Sequence, residues 1–205
     1  MNYRMVFYNI GRILLVEAAL LAVPAIVSIA CRENILFSYT LTIAALTAVG
    51  LLTTRKKPQN TSIYAKDGYV IVALTWIFMS LFGAMPFYLS GHIPHFIDAF
   101  FETVSGFTTT GSTIFSEVES LPRSINMWRC FTHWVGGMGV LVFLLAIAPS
   151  GEKGKGFTMH LLRAESPGPD VGKLVPKMKS TAAILYVIYI VMTLVNYILL
   201  LLGGM

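Results

Sequence analysis

The stretch PHFIDAFFETVSGFTTTGST, residues 94–113, decides how this sequence is read. It opens with a proline at a first-turn position. Phe96, Phe100 and Phe107 follow, with Ile97, Phe101 and Val104 on adjoining faces. Asp98 and Glu102 fall four apart, on one face of the same helix. About 12 helical residues are too few to span a bilayer, which takes about 20. A short apolar helix between two spans reads as a re-entrant segment, tolerated where protein buries it or where it lines a water-filled cavity. The run Thr108-Thr109-Thr110-Gly111-Ser112-Thr113 then has no apolar period. An extended run of this kind can aim successive carbonyls and hydroxyls at a dehydrating cation. Glycine permits the backbone angles required, and the partly negative C-terminal end of the preceding helix points at the cavity. Oxygen donors alone suit an alkali cation rather than a transition metal. The plainer alternative is a Ser/Thr-rich external loop; the order span, short helix, TTTGS, span favours the filter.

The rest of the chain supplies the spans. Of 205 residues, 56 % are hydrophobic and 12 % charged, against about 25 % charge in a soluble domain. That excludes a disordered chain, argues against a soluble enzyme, and leaves a polytopic membrane protein. Two cysteines, Cys31 and Cys130, do not make a disulfide scaffold. Five apolar runs are long enough to span: Val6 to Ala30, Ile35 to Thr54, Tyr69 to Leu89, Met127 to Ala148 and Thr181 to Leu202. The fold class expected is all-α integral membrane, with five transmembrane helices, one re-entrant pore helix and an extended selectivity-filter loop. With the N-terminus cytoplasmic, twelve of the fifteen Lys and Arg residues fall inside, and only Arg32, Arg123 and Arg129 outside. The positive-inside rule selects that orientation, with the C-terminus outside. The basic residues lie between apolar runs, so lipid rather than nucleic acid is the expected contact. Arg4 and Arg12 ahead of an apolar stretch ending at Cys31 imitate a lipoprotein signal. Glu17, Pro24 and a second span close behind argue instead for an interfacial thiol.

Other residues carry weaker signals. Gly136, Gly137 and Gly139 suit small-residue helix packing, with a gating hinge as the alternative. Trp128 and Trp134 read as interfacial or packed aromatics. His133 has no second ligand at metal-binding spacing. Arg129 can pair with Asp98, Glu102 or Glu117, or meet a headgroup. Asp98 and Glu102 can draw cations to an outer mouth or simply hydrogen-bond the pore helix. Glu17 is an intramembrane acid, for which proton coupling is one reading, although it lies in a leading helix outside the implied pore. GEKGKG, residues 151–156, lacks the strand and the Ser/Thr of a phosphate loop; as a basic loop it can touch anionic lipid. No nucleophile–base pair, metal cluster or cofactor fingerprint stands out, so an enzyme and a cofactor are not expected.

DAFFETVSGFTTTGSTIF (98–115) resembles the first pore loop of the Trk/Ktr/HKT potassium-transporter superfamily, specifically its TrkH-type subunits. WRCFTHWVGGMGVLVFLLAIAP (128–149) resembles the second membrane helix of that repeat, and LLRAESPGPDVGKLVPKMKSTA (161–182) the cytoplasmic connection to the next. The resemblance implies four helix–pore helix–filter–helix repeats round one pore, preceded by two extra helices. It divides the chain into leading helices at 1–67, a first repeat at 68–149, and the connection with the first helix of repeat two at 150–205. It places the filter oxygens at Thr108, Thr109, Thr110 and Gly111, with potassium held at Thr109 and Thr110. It also implies potassium preference through Gly111, a bacterial cytoplasmic (inner) membrane location, a dimer of complete chains and a cytoplasmic nucleotide-binding regulatory subunit. Ending at Met205, the sequence carries one filter strand of four and is expected to be the N-terminal portion of a longer transporter. The competing readings are an integral membrane enzyme using Glu17, Asp98, Glu102 or His133, and a non-conducting subunit that binds a membrane partner.

Overall fold

The computed structural model describes residues 2–56, 58, 65–139 and 178–204. The described residues form helices and no strand: α1 (Tyr3–Ala30), α2 (Leu36–Thr54), α3 (Ala65–Gly83), α4 (Met85–Leu89), α5 (Phe96–Phe107), α6 (Arg123–Met138) and α7 (Met178–Leu202). Among the described residues, four stretches are long and apolar enough to cross a membrane: Tyr3–Ala30, Leu36–Thr54, Lys66–Leu89 and Ala183–Leu202.

Helix α1 is the centre of the packing. Val6, Ile10, Ile13, Leu14, Ala18, Leu21 and Ala25 recur at helical spacing and are all buried, against α2, α3 and α6. The approach to α2 is close because Gly11 and Gly50 face each other. A Cβ on Gly50 would stand 2.6 Å from Leu15 Cγ, the small-residue contact that membrane helices use in place of a hydrophobic driving force. At its start the Asn2 side chain accepts from the Met5 amide at 3.3 Å, an N-cap. At its end Arg32 turns to φ 55, and the Glu33 amide donates back to the Ser28 carbonyl at 2.9 Å, a Schellman closure. That turn delivers Glu33 to the first turn of α6, where its carboxylate accepts from the Ser124 amide at 3.3 Å and from the Ser124 hydroxyl.

The expected third span is divided. Pro86 lacks the N–H that would bond the Phe82 carbonyl, and its ring crowds that oxygen, so α3 ends at Gly83 and α4 resumes at Met85. The fourth expected span also differs. Helix α6 starts at Arg123, ahead of Met127, and stops at Met138, where Gly139 adopts φ 72. The remainder towards Ala148, the loop at 151–156 and the connection up to residue 177 lie outside the described residues. Helix α7 meets α6 through Tyr189, whose hydroxyl donates to the Trp134 carbonyl at 3.0 Å, and through Trp134 Nε1 donating to Thr193 at 3.2 Å.

Candidate functional site: a short helix and the loop folded back on it

Helix α5 buries Ala99, Glu102, Thr103, Ser105, Gly106 and Phe107 and leaves Ile97 and Phe101 exposed. Two glycines set its distance from α6. A Cβ on Gly106 would overlap the Thr132 hydroxyl, and one on Gly136 would overlap the Phe107 carbonyl. Behind the helix end, Phe107 packs edge-on to Trp128 with ring centroids 6.3 Å apart. The fully buried Trp128 indole donates to the Gly83 carbonyl at 2.9 Å. Helices α3, α5 and α6 thus converge on the point where the short helix ends.

The chain turns sharply there. Thr109 has φ 55, its amide bonds the Gly106 carbonyl at 2.9 Å, and the Thr110 amide bonds the Ser105 carbonyl at 3.0 Å. This is a Schellman motif with a β-branched residue where glycine is usual, a conformation that costs about 1–3 kcal/mol. Gly111 follows at φ 78, with nothing within 4 Å of where a Cβ would stand. Glycine is needed there for its backbone angle and not for room.

The descending part of the loop is tied to the back of its own helix. The Ser105 hydroxyl donates to the Ser112 carbonyl at 2.6 Å. Glu102 accepts from the Thr113 hydroxyl at 2.9 Å and from the Ile114 amide at 3.1 Å. The same carboxylate pairs with Arg129 of α6, Nε to Oε1 2.7 Å. Residues 108–114 are exposed. Among the described residues, no donor is bonded to the carbonyls of Thr108, Thr109, Thr110 or Gly111. The loop therefore offers a row of uncommitted oxygens on a backbone anchored from behind.

The structure places the remaining candidates as follows. Asp98 is partly exposed in the first turn of α5. Glu102 is 1 % exposed, and of the partners open to Arg129 it is the one in contact. Gly136 lies against the α5 backbone, Gly137 against the Tyr189 hydroxyl, and Gly139 ends α6. His133 Nδ1 sits 2.9 Å from the Arg129 carbonyl, and no cluster of His, Cys, Asp and Glu able to hold a metal occurs among the described residues. Ser105 and Thr113 are not singled out by the sequence; their roles follow from a fold-back that only the two positive-φ residues create. Glu17 is buried beside Gly83, on whose free side the α5 side chains Thr103 and Phe107 also converge.

Residues 32–203 match the model of the TrkH family, described as a cation transport protein. The Trk system potassium uptake protein TrkH of Escherichia coli (strain K12) is 32 % identical over 209 residues, covering 100 % of this chain and 42 % of the relative. An uncharacterised cation transporter of Methanocaldococcus jannaschii is 32 % identical over 202 residues, covering 98 % of this chain and 41 % of that protein. The crystal structure of the potassium transporter TrkH from Vibrio parahaemolyticus superposes with a TM-score of 0.80 at 27 % identity, covering 100 % of this chain and 40 % of that one. The chain spans about two fifths of the length of these relatives. It belongs to the TrkH family of cation transport proteins.

Proposed function

We propose that residues 108–114 form one strand of a potassium-selective filter, and that the chain contributes it to a pathway for potassium uptake across the bacterial cytoplasmic membrane. The observation that carries this reading is the run of exposed residues from Thr108 to Gly111, whose carbonyls accept no hydrogen bond among the described residues, on a loop tied down by Glu102 and Ser105. Carbonyls held in this way can replace the hydration shell of an alkali cation, with Thr109 and Thr110 closest to it. The similarity to potassium-transporting relatives supports potassium as the substrate.

In this reading α5 is a re-entrant pore helix. Helices α1 and α2 are the leading pair, 68–149 the first pore-forming repeat, and α7 the opening span of a second. The N-terminus is cytoplasmic and α7 ends outside. The inside-negative potential then draws the cation inward with about 2.3 kcal/mol per charge per 100 mV. Further repeats complete the ring of oxygens. A dimer of complete chains and a cytoplasmic nucleotide-binding regulatory subunit follow from the family resemblance. Rubidium uptake tests the reading, in potassium-uptake-deficient cells expressing the complete reading frame that contains residues 1–205. Thr110→Asp and Gly111→Ser are expected to abolish uptake or shift it towards sodium. Uptake unchanged by both substitutions would remove the filter assignment.

A further inference from the structure

Ser105 is buried near the end of α5, and it meets the loop twice. Its backbone carbonyl accepts from the Thr110 amide at 3.0 Å, and its hydroxyl donates to the Ser112 carbonyl at 2.6 Å. The neighbouring hydroxyls turn back on their own helix instead. Thr103 donates to the Ala99 carbonyl at 2.8 Å and Thr108 to the Val104 carbonyl at 2.7 Å, the back-bonding that Ser and Thr commonly adopt in helices. Ser105 has one hydroxyl proton and directs it across the gap to the loop.

The two contacts straddle Gly111. One fixes the N–H of the Thr109–Thr110 peptide and the other the C=O of the Ser112–Thr113 peptide. Two peptide units lie between them, and their carbonyls are those of Thr110 and Gly111, turned by the φ of 78 at Gly111. Beyond Ser112 the chain stays committed to α5, because the Thr113 hydroxyl and the Ile114 amide both donate to Glu102. Before it, the carbonyls of Thr108, Thr109, Thr110 and Gly111 accept no hydrogen bond among the described residues. The boundary between free and committed oxygens therefore falls between Gly111 and Ser112, and the Ser105 hydroxyl is the donor that draws it.

We propose that Ser105 is a positioning residue that sets the ion selectivity of the filter. Its hydroxyl holds the Thr110 and Gly111 carbonyls at a fixed spacing and keeps the Ser112 oxygen out of the coordination. A ring of carbonyl dipoles selects an ion by the number and spacing of its oxygens. Without the hydroxyl, the Ser112 carbonyl is left to turn towards the cation. The Gly111 hinge is then restrained at one end only, and glycine offers little resistance of its own to rotation. The oxygens can close on a smaller ion, so loss of the hydroxyl favours sodium without removing any filter oxygen.

This inference rests on the filter reading. The test uses the complete reading frame that contains residues 1–205, in potassium-uptake-deficient cells, with labelled rubidium and sodium. Ser105→Ala, a substitution that suits a helix, is expected to raise the ratio of sodium to rubidium uptake by about fivefold, the equivalent of one ordinary hydrogen bond. Thr103→Val removes a buried hydroxyl that bonds the Ala99 carbonyl of its own helix and should leave the ratio as in the wild type. In proteoliposomes, isotopic labelling of serine carbonyls and threonine amides selects the Ser112–Thr113 peptide in solid-state NMR, identified by its loss in Ser112→Ala. Ser105→Ala should shift that carbonyl resonance, and Thr103→Val should not. An unchanged ratio in Ser105→Ala, an equal change in Thr103→Val, or an unmoved Ser112 resonance overturns the proposal. If uptake also ignores Thr110→Asp and Gly111→Ser, the filter reading itself falls, and the Ser112 resonance still decides whether Ser105 holds the loop.

Discussion

Arg129 Nε and Glu102 Oε1 meet at 2.7 Å, joining α6 to α5 through a carboxylate that is 1 % exposed and also holds the Thr113 hydroxyl and the Ile114 amide. One buried anion thus fixes three segments: the short helix, the returning loop and the following helix. Removing one member of a buried pair leaves the other uncompensated, at a cost of about 3–5 kcal/mol. Arg129→Met is expected to destabilise by about that much in thermal unfolding in detergent. Arg129→Met with Glu102→Gln should recover part of the loss, since neither charge then remains alone. A double variant no more stable than Arg129→Met would show that the pair is not coupled.

The glycines of α6 are expected to differ sharply in tolerance. A methyl on Gly136 meets the backbone of Phe107, which cannot yield without moving α5, whereas one on Gly137 meets the hydroxyl end of Tyr189 at 2.5 Å, a side chain that can shift at the expense of its bond to the Trp134 carbonyl. Gly136→Ala should cost about 1–3 kcal/mol, the usual range for overpacking, and Gly137→Ala clearly less. Equal unfolding temperatures for the two variants would contradict this packing.

Gly106 meets a side chain instead. Its added methyl would overlap the Thr132 hydroxyl, so the clash can be relieved from the other side. Gly106→Ala should destabilise the protein, and Thr132→Ala in the same chain should restore most of the loss. That coupling is measurable as a double-mutant cycle.

Thr109 and Gly111 make opposite predictions from the same cause. Thr109 is a β-branched residue at φ 55, and Gly111 sits at φ 78 in open space. Thr109→Gly relieves strain and should stabilise the fold by about 1 kcal/mol. Gly111→Ala should destabilise it by about 1–2 kcal/mol, the cost of a side chain in the left-handed region. If unfolding midpoints move in the same direction for both, these backbone angles are not those of the protein in its membrane.

The cap from Glu33 is a contact between distant parts of the chain. Ser124→Ala removes the hydroxyl that donates to Glu33 and should cost about 0.5–2 kcal/mol, as for other lost caps. Hydrogen exchange at the first turn of α6 should rise with it, and unchanged protection there would count against the cap.

The amino-acid sequence by itself determined what local chemistry can determine. Apolar runs of spanning length set α1, α2 and α7, because a helix needs only its own residues to satisfy its backbone. The twelve-residue α5 and the irregular TTTGS loop after it were legible for the same reason: length, a phenylalanine pattern and a run without apolar period are all local. Even the division at Pro86 has a local cause, the missing N–H, although the apolar run passes over it unbroken. Tertiary structure alone decided which acid Arg129 takes, because Asp98, Glu102 and Glu117 are chemically equivalent until α5 and α6 pack. It decided that Ser105 and Thr113 anchor the loop, since the fold-back depends on left-handed angles at Thr109 and Gly111, only one of which a glycine announces. It also put Glu17 beside Gly83, where side chains of α5 converge, a relation between residues far apart in sequence that follows from α1 lying at the centre of the bundle.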